Sequence, residues 1–261
     1  MRRSRDLSPG RAALNRAYKR QEIASVPFVI SAGQGPARDR RLLIHEAAAL
    51  FEAADTEHLF RYLMVAFNTL ARPGAIFDLT RPQIDIENRL IDLNLPGRKQ
   101  TKKRRPVVPI TDTLLPLLVN IDDGPVVSYF GRKISSIKTA FHAARDMAGL
   151  GADVSPYTIR HTMATELRRR SVPPWEVAGI LGHKEPRLGT TEVYSKYDPD
   201  YLGSAVKAID AYFRDLQAIT DRPLTPNSPP LRASPDYSRS PPDLIEASGI
   251  GRVDGGIRGG L

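Results

Sequence analysis

Three stretches of the chain place apolar residues at the spacing of one helix face. Leu59, Leu63, Phe67 and Leu70 form the first, and Ile134, Ile137, Phe141, Ala144 and Ala148 the second. Leu202, Val206, Ile209, Phe213 and Leu216 form the third. Between the first two stripes the pattern shortens into strand-like pieces at Ile84–Ile86, Leu90–Leu93 and Val107–Ile110, and Pro96-Gly97 with the charges after it supplies a turn. The expected fold class is mainly α with one small antiparallel β-sheet (α+β), in a body spanning residues 42–218, with no internal repeat.

The two ends differ from this body. Residues 1–41 offer a short helix at Arg11–Arg20, then an extended linker from Val26 to Arg41 broken by Gly33, Gly35 and Pro36. Residues 219–261 read as a disordered tail. From Arg222 onward it holds seven prolines and six glycines with few large apolar residues, so little surface could be buried against the entropy of ordering it.

Charge adds a partner to the picture. There are 38 Lys and Arg against 29 Asp and Glu, a net charge of +9. That favours a polyanion, the alternative being a basic protein without one. The absence of cysteine excludes disulfides, zinc–thiolate sites and cysteine nucleophiles, and fits a reducing cytoplasm. No stretch approaches the roughly 18 apolar residues of a membrane span. Ile23–Gly33 loosely mimics a signal peptide, but it contains Pro27, starts late and lacks an apolar core.

Four clusters carry candidate chemistry. In the first, Arg72 lies where the first apolar helix ends and Pro73-Gly74 is expected to break it, leaving the guanidinium beside a loop. There it is either a bidentate phosphate fork or a surface or capping arginine. The second is the run Arg98-Lys-Gln-Thr-Lys-Lys-Arg-Arg105, six of whose eight residues are basic. Arg98, Lys99, Lys103, Arg104 and Arg105 could follow a DNA backbone, and one lysine could act as a general acid. A solvated charged turn is the alternative.

The third cluster opens on Ser155-Pro156, an N-cap with proline at the first helical position. Tyr157 and Arg160 follow at i and i+3, near the positive end of that helix, an arrangement suited to phosphate. His161 points elsewhere and reads as a packing or capping residue. In the fourth, Gly182 is a helix C-cap presenting His183, and Thr190-Thr191 can start the helix carrying Tyr194. Alone, such a tyrosine reads as core or surface.

Together, Arg72, the lysine-rich run, Arg160, Leu181-Gly-His183 and Thr190-Thr-x-x-Tyr194 resemble, in this order, the catalytic domain of tyrosine recombinases and phage integrases. The resemblance covers about Leu42 to Phe213, and Arg11–Ile30 looks like the last helix of the family's N-terminal core-binding domain running into its linker. It implies site-specific recombination (DNA integration, excision or resolution, as on mobile elements) by breaking and rejoining double-stranded DNA. Tyr194 would attack a phosphodiester to form a 3′-phosphotyrosyl link. Arg72 and Arg160 would clamp the non-bridging oxygens, and His183 would bond the phosphate. A hairpin lysine would protonate the leaving 5′ oxygen: Lys102 in preference to Lys99 or Lys103. No metal or cofactor is implied, and the expected assembly is a homo-tetramer on DNA.

Three positions depart from the family pattern. Tyr157 stands where histidine or lysine is usual. Ala75 stands where many members place an acid, so that an outer partner is missing or supplied by another residue. The basic run also lies about one residue short of the usual spacing to Pro109. Two other readings remain open, a type IB topoisomerase and a non-catalytic DNA-binding remnant. The helix from Pro199 to Leu216 either docks on a neighbouring protomer or folds back on its own domain.

Overall fold

The computed structural model describes residues 3–28, 40–101, 103–121, 123–183 and 202–224. Lys102, Thr190-Thr191, Tyr194, most of the expected linker and the tail beyond Leu224 lie outside the described residues. The chain divides into two units, 1–39 and 40–261. The first contains one helix, α1 (Arg3–Lys19), which begins before the expected Arg11 and carries Pro9 internally.

The second unit is mainly helical, with small antiparallel sheets. Its core is built by α2 (Ile44–Glu52), α3 (Glu57–Thr69), α7 (Pro156–Arg169), α8 (Pro174–Ile180) and α9 (Gly203–Gln217). These bury their apolar faces on one another, as amphipathic helices must. Phe51 of α2, Phe67 of α3, and Tyr212 and Phe213 of α9 form an aromatic cluster at its centre. The Phe51 and Phe67 rings lie 5.2 Å apart, and Phe67 and Tyr212 stack at 6.1 Å.

Beside this core runs an antiparallel sheet of β1 (Ile84–Asp85), β2 (Leu90–Asp92) and β3 (Val107–Pro109). Ile84 pairs with Ile91, and Ile91 with Val108, so the sheet's buried face is a row of β-branched side chains.

Two expectations from the apolar stripes change. The expected single sheet is joined by a hairpin of β4 (Ser128–Tyr129) and β5 (Arg132–Lys133). Its turn residues, Phe130 and Gly131, both have positive φ (49° and 70°), as the tightest hairpin turn requires. Ile134 leaves that hairpin and is not part of the helix that follows, α6 (Lys138–Met147), whose N-cap is Ile137. Pro73 also does not break a helix. α3 has already ended at Leu70 in the left-handed conformation, and Pro73 starts the short α4 (Pro73–Phe77) at the position where its missing N–H costs nothing.

Helix α9 packs on α2, α7 and α8 of its own domain. Glu176, buried on α8, accepts a hydrogen bond from the Ala205 N–H in the first turn of α9 at 2.9 Å. Asp210 of α9 accepts from the N–H and hydroxyl of Thr113, at 3.0 and 2.7 Å, in the turn after β3. The packing continues past residue 219, where the tail was expected to begin. Leu224 is buried, and Arg222 donates to the Phe51 and Ala54 carbonyls while lying 4.5 Å above the Phe60 ring. A cation that satisfies helix-end carbonyls and stacks on a ring extends the ordered body beyond what the Pro/Gly composition suggests. No helix among the described residues is long and apolar enough to cross a membrane.

Glu176→Ala removes the only acidic group placed on the α9 N-terminus by α8. Its cost should be about 1–2 kcal/mol, as for loss of a helix cap. Chemical denaturation checks this, expecting a lower midpoint with an unchanged slope.

Candidate active site

Three helix ends meet at Arg160. The residue sits in the second turn of α7, whose start is fixed by Ser155: its N–H donates to Thr158 Oγ1 at 3.0 Å, and Pro156 occupies the first helical position. Apolar neighbours Ile159 and Met163 face the core and draw Arg160 in with them, leaving it 6% exposed. Its Nη1 donates to the Leu70 carbonyl at the end of α3, and its Nη2 to the Leu181 carbonyl at the end of α8 at 2.6 Å. Leu70 is a non-glycine residue at φ 52°, a conformation that costs about 1–2 kcal/mol. Its fully buried side chain and the bond from Arg160 hold it there.

The same two caps present the neighbouring site residues. Two residues after Leu70, Arg72 is the N-cap of α4, half-buried, with Nη1 donating to the Arg104 carbonyl at 2.9 Å. Two residues after Leu181, His183 emerges from a Schellman-type cap. There the Gly182 N–H bonds the Gly179 carbonyl and the His183 N–H bonds the Ala178 carbonyl, each at 2.9 Å. Gly182 is required twice over. Its φ is +66°, and a Cβ there would stand 2.7 Å from Pro106 Cδ and 2.9 Å from the Arg104 carbonyl oxygen. The end of α8 therefore lies directly on the strand that leaves the basic run.

Arg72 and Arg160 line one groove of about 230 Å³ together with Arg98, Lys103, Arg104 and Arg105, and among the described residues no carboxylate shares that lining. Neither Arg72 nor Arg160 is paired with an acid among the described residues. Burial, then the like charge of Arg72, lower the Arg160 pKa to about 10, while Tyr157 opposes this by charge and hydrogen bonding. Burial, then Arg160 and Arg72, hold His183 below the usual imidazole value. The site thus gathers uncompensated positive charge and a neutral histidine, the electrostatic complement of a phosphodiester.

The other candidates fall around this groove. Tyr157 is exposed and packs edge-on against His161, ring centroids 5.0 Å apart. Arg98 is tied to Asn94 Oδ1 at 2.7 Å, and Lys99 and Lys103 are exposed. Arg105 is mostly buried and pairs with Asp78 at 2.8 Å. Asp78 and its second partner, Lys133, were not singled out in the sequence. The available signal was an acid one helical turn beyond Ala75 on the same short helix. Lys102 and Tyr194 lie outside the described residues.

A model of the phage integrase family matches residues 40–200, more than half of the chain, which contain all of these positions; the chain belongs to that family. It is 33% identical over 106 residues to the "Tyrosine recombinase XerC" of Halalkalibacterium halodurans, covering 41% of this chain and 31% of that protein. It is 26% identical over 173 residues to the "Tyrosine recombinase XerC" of Chlamydia muridarum, covering 59% and 53%. The chain thus spans about half or less of the length of these relatives. A solved structure titled "Crystal structure of XerA recombinase" superposes with a TM-score of 0.47 at 18% identity, covering 77% of this chain and 70% of that one.

Gly182→Ala should destabilise the protein by about 1–3 kcal/mol through backbone strain and push the 104–106 segment away, a loss visible as a lower melting temperature. His183 should titrate below 6.5 in the free protein, followed by its ring-proton NMR shifts. Folding disfavours its protonated form. Its share of stability is therefore complete above the unfolded pKa and is lost as pH falls through the lower folded one. Arg72→Gln, which removes one repelling charge, should raise the His183 pKa.

Proposed function

We propose that the protein is a DNA strand-exchange enzyme that cuts and rejoins double-stranded DNA through a 3′-phosphotyrosyl intermediate. The observation that carries this reading is that Arg72 and Arg160, paired with no acid among the described residues, line one groove, while the cap of α8 that Arg160 bonds presents His183 with a lowered pKa. A buried cation without a carboxylate is expensive unless an anion arrives. The arriving anion is the scissile phosphate.

The phenolic oxygen of Tyr194 gives up its proton to solvent and attacks phosphorus, the bond to the 5′ oxygen breaks, and a lysine of the basic run gives that oxygen its proton; Lys102 is the first candidate, then Lys99 and Lys103. Charge building on the non-bridging oxygens is met by Arg72 and Arg160, with His183 donating from its neutral ring and Tyr157 standing at the rim. Each preorganised donor of this kind is worth roughly 3–4 kcal/mol in the transition state. Arg160 has five N–H donors and spends two on carbonyls, so it can hold the site together and still face the phosphate. The phosphotyrosyl bond conserves the energy of the broken link, and a 5′-hydroxyl from another strand reverses the step.

Arg98, Lys99, Lys103 and Arg104 would follow the DNA backbone, with double-stranded DNA as partner. Exchange between two duplexes requires a homo-tetramer on DNA, in the cytoplasm, with a mobile element as the natural setting. Residues 1–41 would be the last helix of a core-binding domain together with the linker that leads into this catalytic domain. Relaxation of supercoils without a partner strand, or binding without cleavage, are the competing outcomes.

A nicked suicide substrate, which loses the strand needed for rejoining, provides the test. Covalent protein–DNA adduct is expected with the wild type. Tyr194→Phe should form none while binding the same DNA within about threefold, since one hydroxyl is a small part of the phosphate contacts. Tight binding with no adduct from the wild type would leave only the remnant reading.

A further inference from the structure

The short helix after Arg72 grips the basic run at three points. Arg72 donates to the Arg104 carbonyl at 2.9 Å, the Gly74 carbonyl accepts from Arg105 Nη2 at 3.1 Å, and Asp78 Oδ2 accepts from the same nitrogen at 2.8 Å. The second Asp78 oxygen accepts from Lys133 Nζ of the β4–β5 hairpin at 2.6 Å. One carboxylate therefore ties two hairpins to α4, and the arginine it holds is only 14% exposed.

The main chain of that arginine is the end of a closed loop. Gln100 Oε1 accepts from the Arg105 N–H at 3.1 Å, and Gln100 Nε2 donates to the Arg105 carbonyl at 2.8 Å. The amide clips residues 100 and 105 together, so the position of Arg105 bears on that of Gln100 and of Lys103, the described lysine between them. Asp78 fixes the side chain and Gln100 fixes the backbone of one residue. Without Asp78, the Arg105 guanidinium would keep only the Gly74 carbonyl among these partners, and its Nη1 is already without one among the described residues.

We propose that Asp78 is a positioning residue for proton delivery: through Arg105 it holds the 100–105 loop where a lysine can reach the leaving 5′ oxygen. This rests on the strand-cleavage reading above. Asp78 itself is unsuited to proton transfer, since each oxygen is occupied by a cation. An ion pair that served only stability at this partly exposed position would contribute little. A role in positioning instead predicts a chemical defect out of proportion to any change in stability.

The test uses the full chain and two suicide substrates, one with the natural 5′-bridging oxygen and one with sulfur in its place. A thiolate leaves without an acid, so a fault confined to proton delivery disappears on the sulfur substrate. Asp78→Asn should slow cleavage of the oxygen substrate by at least about tenfold, short of the roughly hundredfold or more expected for outright loss of a general acid. Sulfur-substrate cleavage and DNA affinity should stay within about threefold of wild type. Arg105→Ala should lose at least as much of the oxygen-substrate rate, and the double variant should be no worse than Arg105→Ala alone, because both break one link. Asp78→Glu, which can still pair with Arg105, should recover much of the rate.

Equal losses on both substrates would overturn the proposal, placing Asp78 in folding, binding or phosphate contact. An unchanged rate on both would reduce it to a surface ion pair. Absence of adduct from the wild type on either substrate would instead overturn the strand-cleavage reading on which the proposal rests.

Discussion

The guanidinium of Arg160, bonded to the last carbonyls of two other helices, is the constraint on which the site depends. Its partners lie 90 and 21 residues away in sequence, so one side chain closes the geometry of α3, α7 and α8 at once. Each carbonyl belongs to a helix end, where main-chain acceptors lack intrahelical partners and a cation is favoured. The residues that follow those ends are Arg72 and His183. Positioning of Arg72 and His183 is thus a by-product of satisfying two helix C-termini, and the residue that does it lines the same groove as Arg72.

The cost of this arrangement is electrostatic. Arg160 is nearly buried beside Arg72, and their repulsion and desolvation appear in the lowered values of both Arg160 and His183. The fold offsets that cost with carbonyl dipoles in place of carboxylates. An acid would stabilise the empty protein but would compete with the phosphate for the same donors. Asp78, which is not one of the groove-lining residues, is spent on Arg105 and Lys133.

Local signals in the sequence were the readable ones. The stripes at Leu59–Leu70 and Leu202–Leu216 mark α3 and α9, and the three strand pieces pair in register as β1–β3. Ser155-Pro156 and Gly182 cap their helices as their chemistry dictates. What escaped was non-local or unusual. The β4–β5 hairpin has two-residue strands and puts Phe130, a poor left-handed residue, in its turn, so neither periodicity nor turn chemistry announced it. Leu70 likewise takes a glycine-like cap that no propensity suggests. The carbonyl partners of Arg160 and the hold of Asp78 on Arg105 depend on contacts between elements that lie far apart along the chain. The order of the site residues could be read without them, but the means of holding them could not.

The two ends of the segment that carries Tyr194 are fixed to a single helix. His183 leaves α8 through its hydrogen-bonded cap, and Leu202 returns against Gly179 of α8, where a Cβ would stand only 3.0 Å from its side chain. Glu176 on that helix then holds the start of α9. Tyr194 stands eight residues before Leu202, so whatever path the chain takes, its Cα lies within roughly 28 Å of that anchor. A group tethered at that length is present at an effective concentration on the order of millimolar. The bound on how far Tyr194 can lie from its own domain is therefore set by covalent connectivity alone.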